Sequence, residues 1–456
     1  MPHSEPDFFQ QLCARVERQR RITRTPGAAL GVFYQGREFT AGFGRTSIEN
    51  PLPVTPETLF QVGSISKTFT ATALMRLTET QNLNLDTPLA SILPHFSMRD
   101  PETQRRVTLR HLLTHTGGWL GDYFDDFGCG DDALARMVEK IGSLPQITPL
   151  GAAWSYCNTG FNLAGRALEI LEQQPYESVI QQRLLTPLGM NLTFFYPSDL
   201  LITHRFAVGH QRVGKNVRVA RPWAIGRAGN PVGGVVSSVR DLLTYARFHM
   251  SAGQGILSER TLQSMRQEQA DAGGRGKMGL SWFIRQAPWQ GKSLFIYGHG
   301  GATHGQQAVL YFLPQEDFAV ALLTNSDAGG RITAALLDWA LEIYFQTRQP
   351  IPEPYPLTRT ALQEFAGLYE LPLSAFQLTP SRGALLRRDL PRGGFPTPQT
   401  PPGPPEPDVR LAFYAPDRVI GLDEPYKNAP GEFLRDEHGQ VRFLRLGGRL
   451  HPKQNA

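Results

Sequence analysis

The chain is 456 residues long, room for two or three domains at about 100 to 200 residues each, and 41% of it is hydrophobic, 10% aromatic and 19% charged, which excludes wholesale disorder. No apolar run approaches the roughly 20 residues of a membrane-crossing helix, and the opening MPHSEPDFFQQL lacks the basic-then-apolar pattern of a signal peptide, so a cytoplasmic chain is expected. The net charge of +5 is small for this length and sits on scattered arginines without a nucleic-acid motif, so nucleic acid is not an expected partner.

In chain order, Gly27–Tyr34 and Phe39–Phe43, joined at Gln35-Gly36, predict a β-hairpin. Ser64–Thr78 carries strong helix formers on a mostly apolar surface and predicts a buried helix. Helices are also expected over Val107–His115, Phe161–Gln173 and Ser238–Met250. Strands are expected over Phe295–Tyr297, Ala308–Phe312 and Phe318–Thr324, followed by a helix over Arg331–Tyr344. Strands at both ends with helices between them predict an α/β (α+β) sandwich whose sheet is closed by sequence-distant segments.

The run Gln349–Pro356 alternates prolines with other residues and predicts a semi-rigid spacer. It divides the chain into a large unit (1–348), a linker (349–360) and a smaller terminal unit (361–456). In the latter, the apolar stretches Ala412–Tyr414, Val419–Leu422 and Val441–Leu446 alternate with turn residues such as Gly447-Gly448, a β-domain pattern. The stretch Pro391–Pro407, dense in proline and glycine, is expected to be a long mobile excursion. Cys13, Cys129 and Cys157 are far apart and outside any Cys-x-x-Cys pair, which predicts neither a disulfide framework nor a metal site.

Three short stretches carry chemistry. In Gly63-Ser-Ile-Ser-Lys67, a helix would place Ser64 and Lys67 three residues apart on one face. Lysine occurs only seven times, and this is the only Ser-x-x-Lys. Lys67 is also the only charge between Ser64 and Arg76, so burial would favour a neutral amine able to take the serine proton. The bland alternative is a serine cap with a lysine reaching solvent. Ser66 is a second hydroxyl, but lies about 100° around the helix from the Lys67 face.

In Tyr156-Cys-Asn158, a phenol and an amide two residues apart can enter one cleft, the first moving protons and the second binding a carbonyl or ammonium. Tyr426-Lys-Asn428 repeats the spacing and is read as a loop. In Gly298-His-Gly-Gly-Ala302, the glycines, Gly301 among them, would let a substrate backbone lie along a strand edge beside His299. Alone, that stretch reads better as a turn with an incidental histidine.

The order and separations of the three stretches resemble the serine β-lactamase and penicillin-binding-protein superfamily, in particular its class C and low-molecular-weight peptidase branch. The likeness covers roughly residues 15 to 345 and extends to Leu109–Gly118 and Asn230–Ser237. It implies a β-lactamase/transpeptidase-type sandwich, with Ser64 as nucleophile, Lys67 as its partner base and Tyr156 as proton shuttle to the leaving group. Asn158, His299 and Gly301 would bind substrate, and the N–H groups of Ser64 and Ala302 would form the oxyanion hole. His115 falls in a framework segment of that family. Leu362–Tyr369 resembles the opening of a small lipocalin-like barrel appended to some relatives.

The resemblance implies a serine acyl-hydrolase without metal or organic cofactor, acting on amide or ester bonds of small peptide-like substrates, D-configured ones included. His299 stands where β-lactamases usually carry lysine, which removes the fixed charge for a β-lactam carboxylate. A carboxylesterase, a weak β-lactamase, a peptide-cyclising acyltransferase and a non-catalytic binding module stay open as alternatives, as do further copies of the chain as partners. Tyr123 and Asp125, in the acidic loop Asp122–Asp126, are expected either to hold a substrate amine or to form a solvated face.

Overall fold

Gln35 and Gly36 take positive φ (49° and 78°), the twist that a two-residue hairpin turn needs. They pair Gly27–Tyr34 with Arg37–Gly44 in the register Tyr34↔Arg37. The computed structural model describes residues 5–195, 204–214, 216–223 and 225–454. On its other side Gly27–Tyr34 pairs with Phe318–Thr324, so sequence-distant strands close the sheet as expected. The sheet continues through Gln306–Leu313, Lys292–Thr303 and Phe283–Trp289 to two short edge strands, Lys277–Met278 and Ala270–Asp271, antiparallel throughout.

Helices cover both faces of the sheet, which is why its inner strands read as unbroken apolar runs. Leu30 and Val32 pack with Leu12 and Val16 of the helix Glu5–Thr23 and with Leu336 of the helix Gly330–Phe345. Ala29 and Phe33 point the other way, into the larger core beneath Ser66–Thr80, Asn158–Glu172 and Val239–Met250. Among the described residues no helix is long and apolar enough to cross a membrane.

Two expected elements of the α/β domain change length most. The helix expected over Val107–His115 is only Leu109–Leu113, started by the Thr108 side chain and ended before His115, whose φ is +58°. The strand expected over Phe295–Tyr297 runs instead from Lys292 to Thr303, straight through the glycines. The helix Glu5–Thr23 has no counterpart among the elements expected from the sequence.

The C-terminal unit is a nearly closed barrel of eight antiparallel strands, from Gly367–Leu371 to Arg449–Pro452, each paired with the next in sequence. A bridge between Tyr369 and Lys453, with the Gln454 N–H donating to the Leu368 carbonyl at 2.8 Å, brings its first and last strands together. Tyr369, Phe413 and Phe433 pack at its centre. The proline-rich spacer is tied to this barrel, since the Tyr355 N–H donates to the Phe413 carbonyl at 2.7 Å. The excursion expected over Pro391–Pro407 joins the strands Ala384–Leu390 and Val409–Ala415. Its Phe395 ring meets the edge of Phe124 on the α/β domain at 4.8 Å.

Candidate active site

Ser64 lies in a single 3₁₀ turn, Gly63–Ile65, that leads into the helix Ser66–Thr80. One turn on, the Lys67 side-chain nitrogen stands 3.0 Å from Ser64 Oγ and donates to the Val232 carbonyl at 2.8 Å. That carbonyl comes from the short helix Asn230–Gly233, within the framework stretch noted in the sequence. Lys67 is fully buried and makes no ion pair among the described residues. Burial pushes its pKa well below the usual lysine value, and the positive charge of Arg449 adds to the effect. Ser66 is engaged elsewhere: its hydroxyl accepts the Val235 N–H at 3.0 Å.

The strand Lys292–Thr303 lies directly against this turn. A Cβ on Gly63, whose φ is +53°, would stand 2.6 Å from the Ala302 nitrogen, and one on Gly301 would stand 1.8 Å from the Val62 carbonyl oxygen. Glycine at both positions lets the backbones of Ser64 and Ala302 come together, as an oxyanion hole requires.

Tyr156 is buried, with Lys67 Nζ 5.0 Å from its ring centre. Burial pushes the phenol up to about 12, although the Ser64 hydroxyl beside it stabilises the phenolate. The Tyr156 oxygen makes no closed hydrogen bond to the described residues. Cys157, unexplained by sequence, caps the helix Asn158–Glu172: its sulfur accepts the Gly160 N–H at 3.3 Å, and burial raises the thiol to about 11. Asn158 donates its amide to Asp122, which leaves its buried amide oxygen unpartnered.

His299 is buried and donates Nδ1–H to the Gly300 carbonyl at 2.6 Å, which leaves Nε2 as a bare acceptor. Burial and then the Lys67 charge push its pKa down to about 3, so the ring is neutral. Its centre lies 6.1 Å from that of Tyr156. Ser64, Lys67, Tyr156, Asn158, His299 and Gly301 therefore meet in one crevice. Tyr123 and Asp125 pair with each other, the Tyr123 hydroxyl donating to Asp125 at 3.3 Å, and Asp125 is exposed. The acid of that loop that enters the site is Asp122. Burial alone would raise its carboxyl pKa, but Arg449 and hydrogen bonds hold it below the usual value.

Arg449 comes from the barrel, and sequence reasoning missed it. The turn Gly447-Gly448, with φ of 59° and 84°, joins the last two strands and points into the crevice. The Gly448 carbonyl accepts the Tyr156 N–H at 2.8 Å, and the Leu450 N–H donates to Ser155 Oγ at 3.2 Å. The Arg449 guanidinium donates to Asp122 at 2.8 Å and stands 4.8 Å from the centre of the Tyr156 ring. Arg275 lies beside it, 5.8 Å from the Phe283 ring and without a carboxylate partner among the described residues. Two guanidinium groups thus stand beside the site, that of Arg449 paired with Asp122, while the strand itself carries His299. The only sequence signal was the glycine pair, which marks a tight turn but not its destination. Among the described residues no group of three or more His, Cys, Asp or Glu side chains is placed to hold a metal ion.

The chain matches the family described as Beta-lactamase over residues 13–344. It is 33% identical over 372 residues to Penicillin-binding protein 4 of Amycolatopsis lactamdurans, which covers 78% of this chain and 96% of that protein. To a Beta-lactamase of Yersinia enterocolitica it is 25% identical over 334 residues, covering 66% of this chain and 82% of the relative. Among solved structures, SurE with D-Leu superimposes with a TM-score of 0.75 at 26% identity, covering 99% of this chain and 100% of that one.

Proposed function

The chain belongs to the β-lactamase family, and from that membership we propose that it is a serine acyl-hydrolase acting through Ser64 on small peptide-like substrates, D-configured ones included. The observation that carries the reading is the Lys67 amine, buried, without an ion pair among the described residues and 3.0 Å from Ser64 Oγ. Ser64 Oγ attacks the substrate carbonyl carbon while its proton passes to the neutral Lys67 amine. The carbonyl oxygen takes up the electron pair beside the N–H groups of Ser64 and Ala302. Collapse breaks the bond to the leaving nitrogen or oxygen, to which Tyr156 relays the proton held by Lys67. Water then attacks the acyl-enzyme, releasing the acid and restoring the Ser64 hydroxyl.

Preference for D-configured residues draws support from the likeness to SurE with D-Leu. The positive wall formed by Arg449 and Arg275 suits a substrate that carries a carboxylate. It also keeps a weak β-lactamase reading alive, because the missing strand lysine no longer counts fully against it. Intact mass after incubation with activated acyl donors tests the nucleophile: one acyl group should add to the native chain and none to Ser64→Ala. Turnover of D- and L-amino-acid anilides against short p-nitrophenyl esters then tests the substrate class. Ester cleavage without any anilide cleavage would replace the peptidase reading by an esterase.

A further inference from the structure

His115 is buried against Tyr156, yet the acyl-transfer scheme gives it nothing to do. We propose that His115 is the positioning residue for the Tyr156 phenol, fixing it where the leaving group must be protonated; the proposal rests on that role of Tyr156. Its backbone carbonyl accepts the Ser155 N–H at 3.0 Å and its Nδ1 accepts the Cys157 N–H at 3.0 Å, so the two bonds bracket Tyr156. Its ring stacks on the Tyr156 ring, centres 4.3 Å apart and planes 30° apart. Trp154 and Phe161 pack on the imidazole at 5.8 and 5.1 Å and fix it in turn.

The backbone has been bent to make this contact. His115 has a φ of +58° in the left-handed region, which residues other than glycine adopt uncommonly, histidine, asparagine and aspartate more often than the rest. That conformation ends the helix Leu109–Leu113 and turns both the carbonyl and the ring towards the Ser155–Cys157 segment. The same bonds exclude the imidazole as the base. Its Nδ1 lone pair is occupied by the Cys157 N–H, so the ring proton sits on Nε2, where it is buried without an acceptor among the described residues. Burial pushes its pKa well below the usual histidine value and keeps the ring neutral.

The test compares one acyl group presented as its p-nitrophenyl ester and as its p-nitroanilide. Nitrophenolate departs without a proton, whereas the anilide nitrogen needs one. Tyr156→Phe is expected to lose about 100-fold or more on the anilide and far less on the ester. His115→Phe keeps the stacked ring and loses the acceptor for Cys157, and is expected to lose about 10- to 100-fold in kcat on the anilide, with KM and ester turnover nearly unchanged. His115→Asn, which keeps an acceptor but not the ring, should show the same leaving-group dependence. Titration with a fluorophosphonate normalises each rate to intact Ser64 sites. The double variant His115→Phe/Tyr156→Phe should be no slower on the anilide than Tyr156→Phe alone.

Equal losses on ester and anilide in both His115 variants, or a double variant slowed by the product of the single effects, would overturn the positioning role while leaving Tyr156 as the shuttle. If Tyr156→Phe itself shows no leaving-group dependence, the role of Tyr156 and that of His115 fall together.

Discussion

Replacing Arg449 by glutamine should move the acidic limb of the acylation rate to higher pH. The Lys67 nitrogen and the Arg449 guanidinium stand 5.0 and 4.8 Å from the centre of the same Tyr156 ring, so the two charges are no more than about 10 Å apart. At an effective dielectric constant of about 20, two unit charges at that distance repel by about 1.7 kcal/mol, or about 1.2 pH units. The Arg449 side chain is 31% exposed, and solvent there brings the shift towards about half a unit. Removing the guanidinium also leaves the Asp122 carboxylate unneutralised, and that charge favours the Lys67 ammonium. Both effects have the same sign. Only the neutral amine takes the Ser64 proton, so a raised Lys67 pKa demands a higher pH for the same rate. Pre-steady-state bursts of an activated ester, recorded from roughly pH 5 to pH 9, read the limb directly. The expected displacement is about 0.5 to 1.5 units upward, and Arg449→Gln/Asp122→Asn should return most of it. An unmoved limb, or a double variant displaced as far as the single one, would refute this account of the site's electrostatics.

Ser66→Ala should keep covalent labelling at Ser64 while losing about 1 kcal/mol of stability, because its hydroxyl only accepts the Val235 N–H; thermal melts and acyl-probe labelling check the two halves. Gly301→Ala should lower acylation by about 100-fold or more, since its Cβ would stand 1.8 Å from the Val62 carbonyl oxygen and force the strand off the Ser64 turn. With its pKa at about 3, His299 stays neutral at working pH, so His299→Gln should leave the position of the acidic limb unchanged while altering KM. A limb that disappears in that variant would mean that the histidine, not Lys67, is the titrating group.

What could be read from the sequence followed the range of the interactions. Ser64 and Lys67 face each other through one helical turn, so their spacing alone exposed the pair. Tyr156 and His299 join them only through tertiary contacts and were reached by family likeness. Arg449 is one of many scattered arginines, and nothing local in Gly447-Gly448-Arg449 says that the turn enters another domain. The glycines of Gly298–Gly301 left a strand edge and a turn both open, because glycine weakens isolated strands. In the folded chain their missing side chains let the strand pass against Val62–Ser64. The helix Glu5–Thr23 escaped notice because Leu12 and Val16 are spaced among Arg15, Glu17, Arg18, Arg20 and Arg21, and packing on the sheet rather than local pattern holds it. The barrel strand Ser374–Ser381 contains Pro380, which counts against a strand in sequence and is tolerated here near the strand's end.

Tyr156 is gripped from two directions, and this has a consequence for the barrel. His115 holds the segment on either side of it, while its own N–H donates to the Gly448 carbonyl on the barrel turn. Moving that turn should therefore disturb the phenol before it disturbs the Ser64–Lys67 pair, whose hydrogen bonds lie wholly within the α/β domain. Gly448→Ala makes such a move. Its φ of +84° costs an alanine about 1 kcal/mol, and the new Cβ would press on the Trp154 ring at 3.3 Å. The expected result is a several-fold loss on an anilide with little loss on the matching nitrophenyl ester, while a fluorophosphonate labels Ser64 at close to the native rate. A uniform loss on both substrates, with labelling slowed in step, would mean that the barrel supports the whole crevice rather than the phenol in particular.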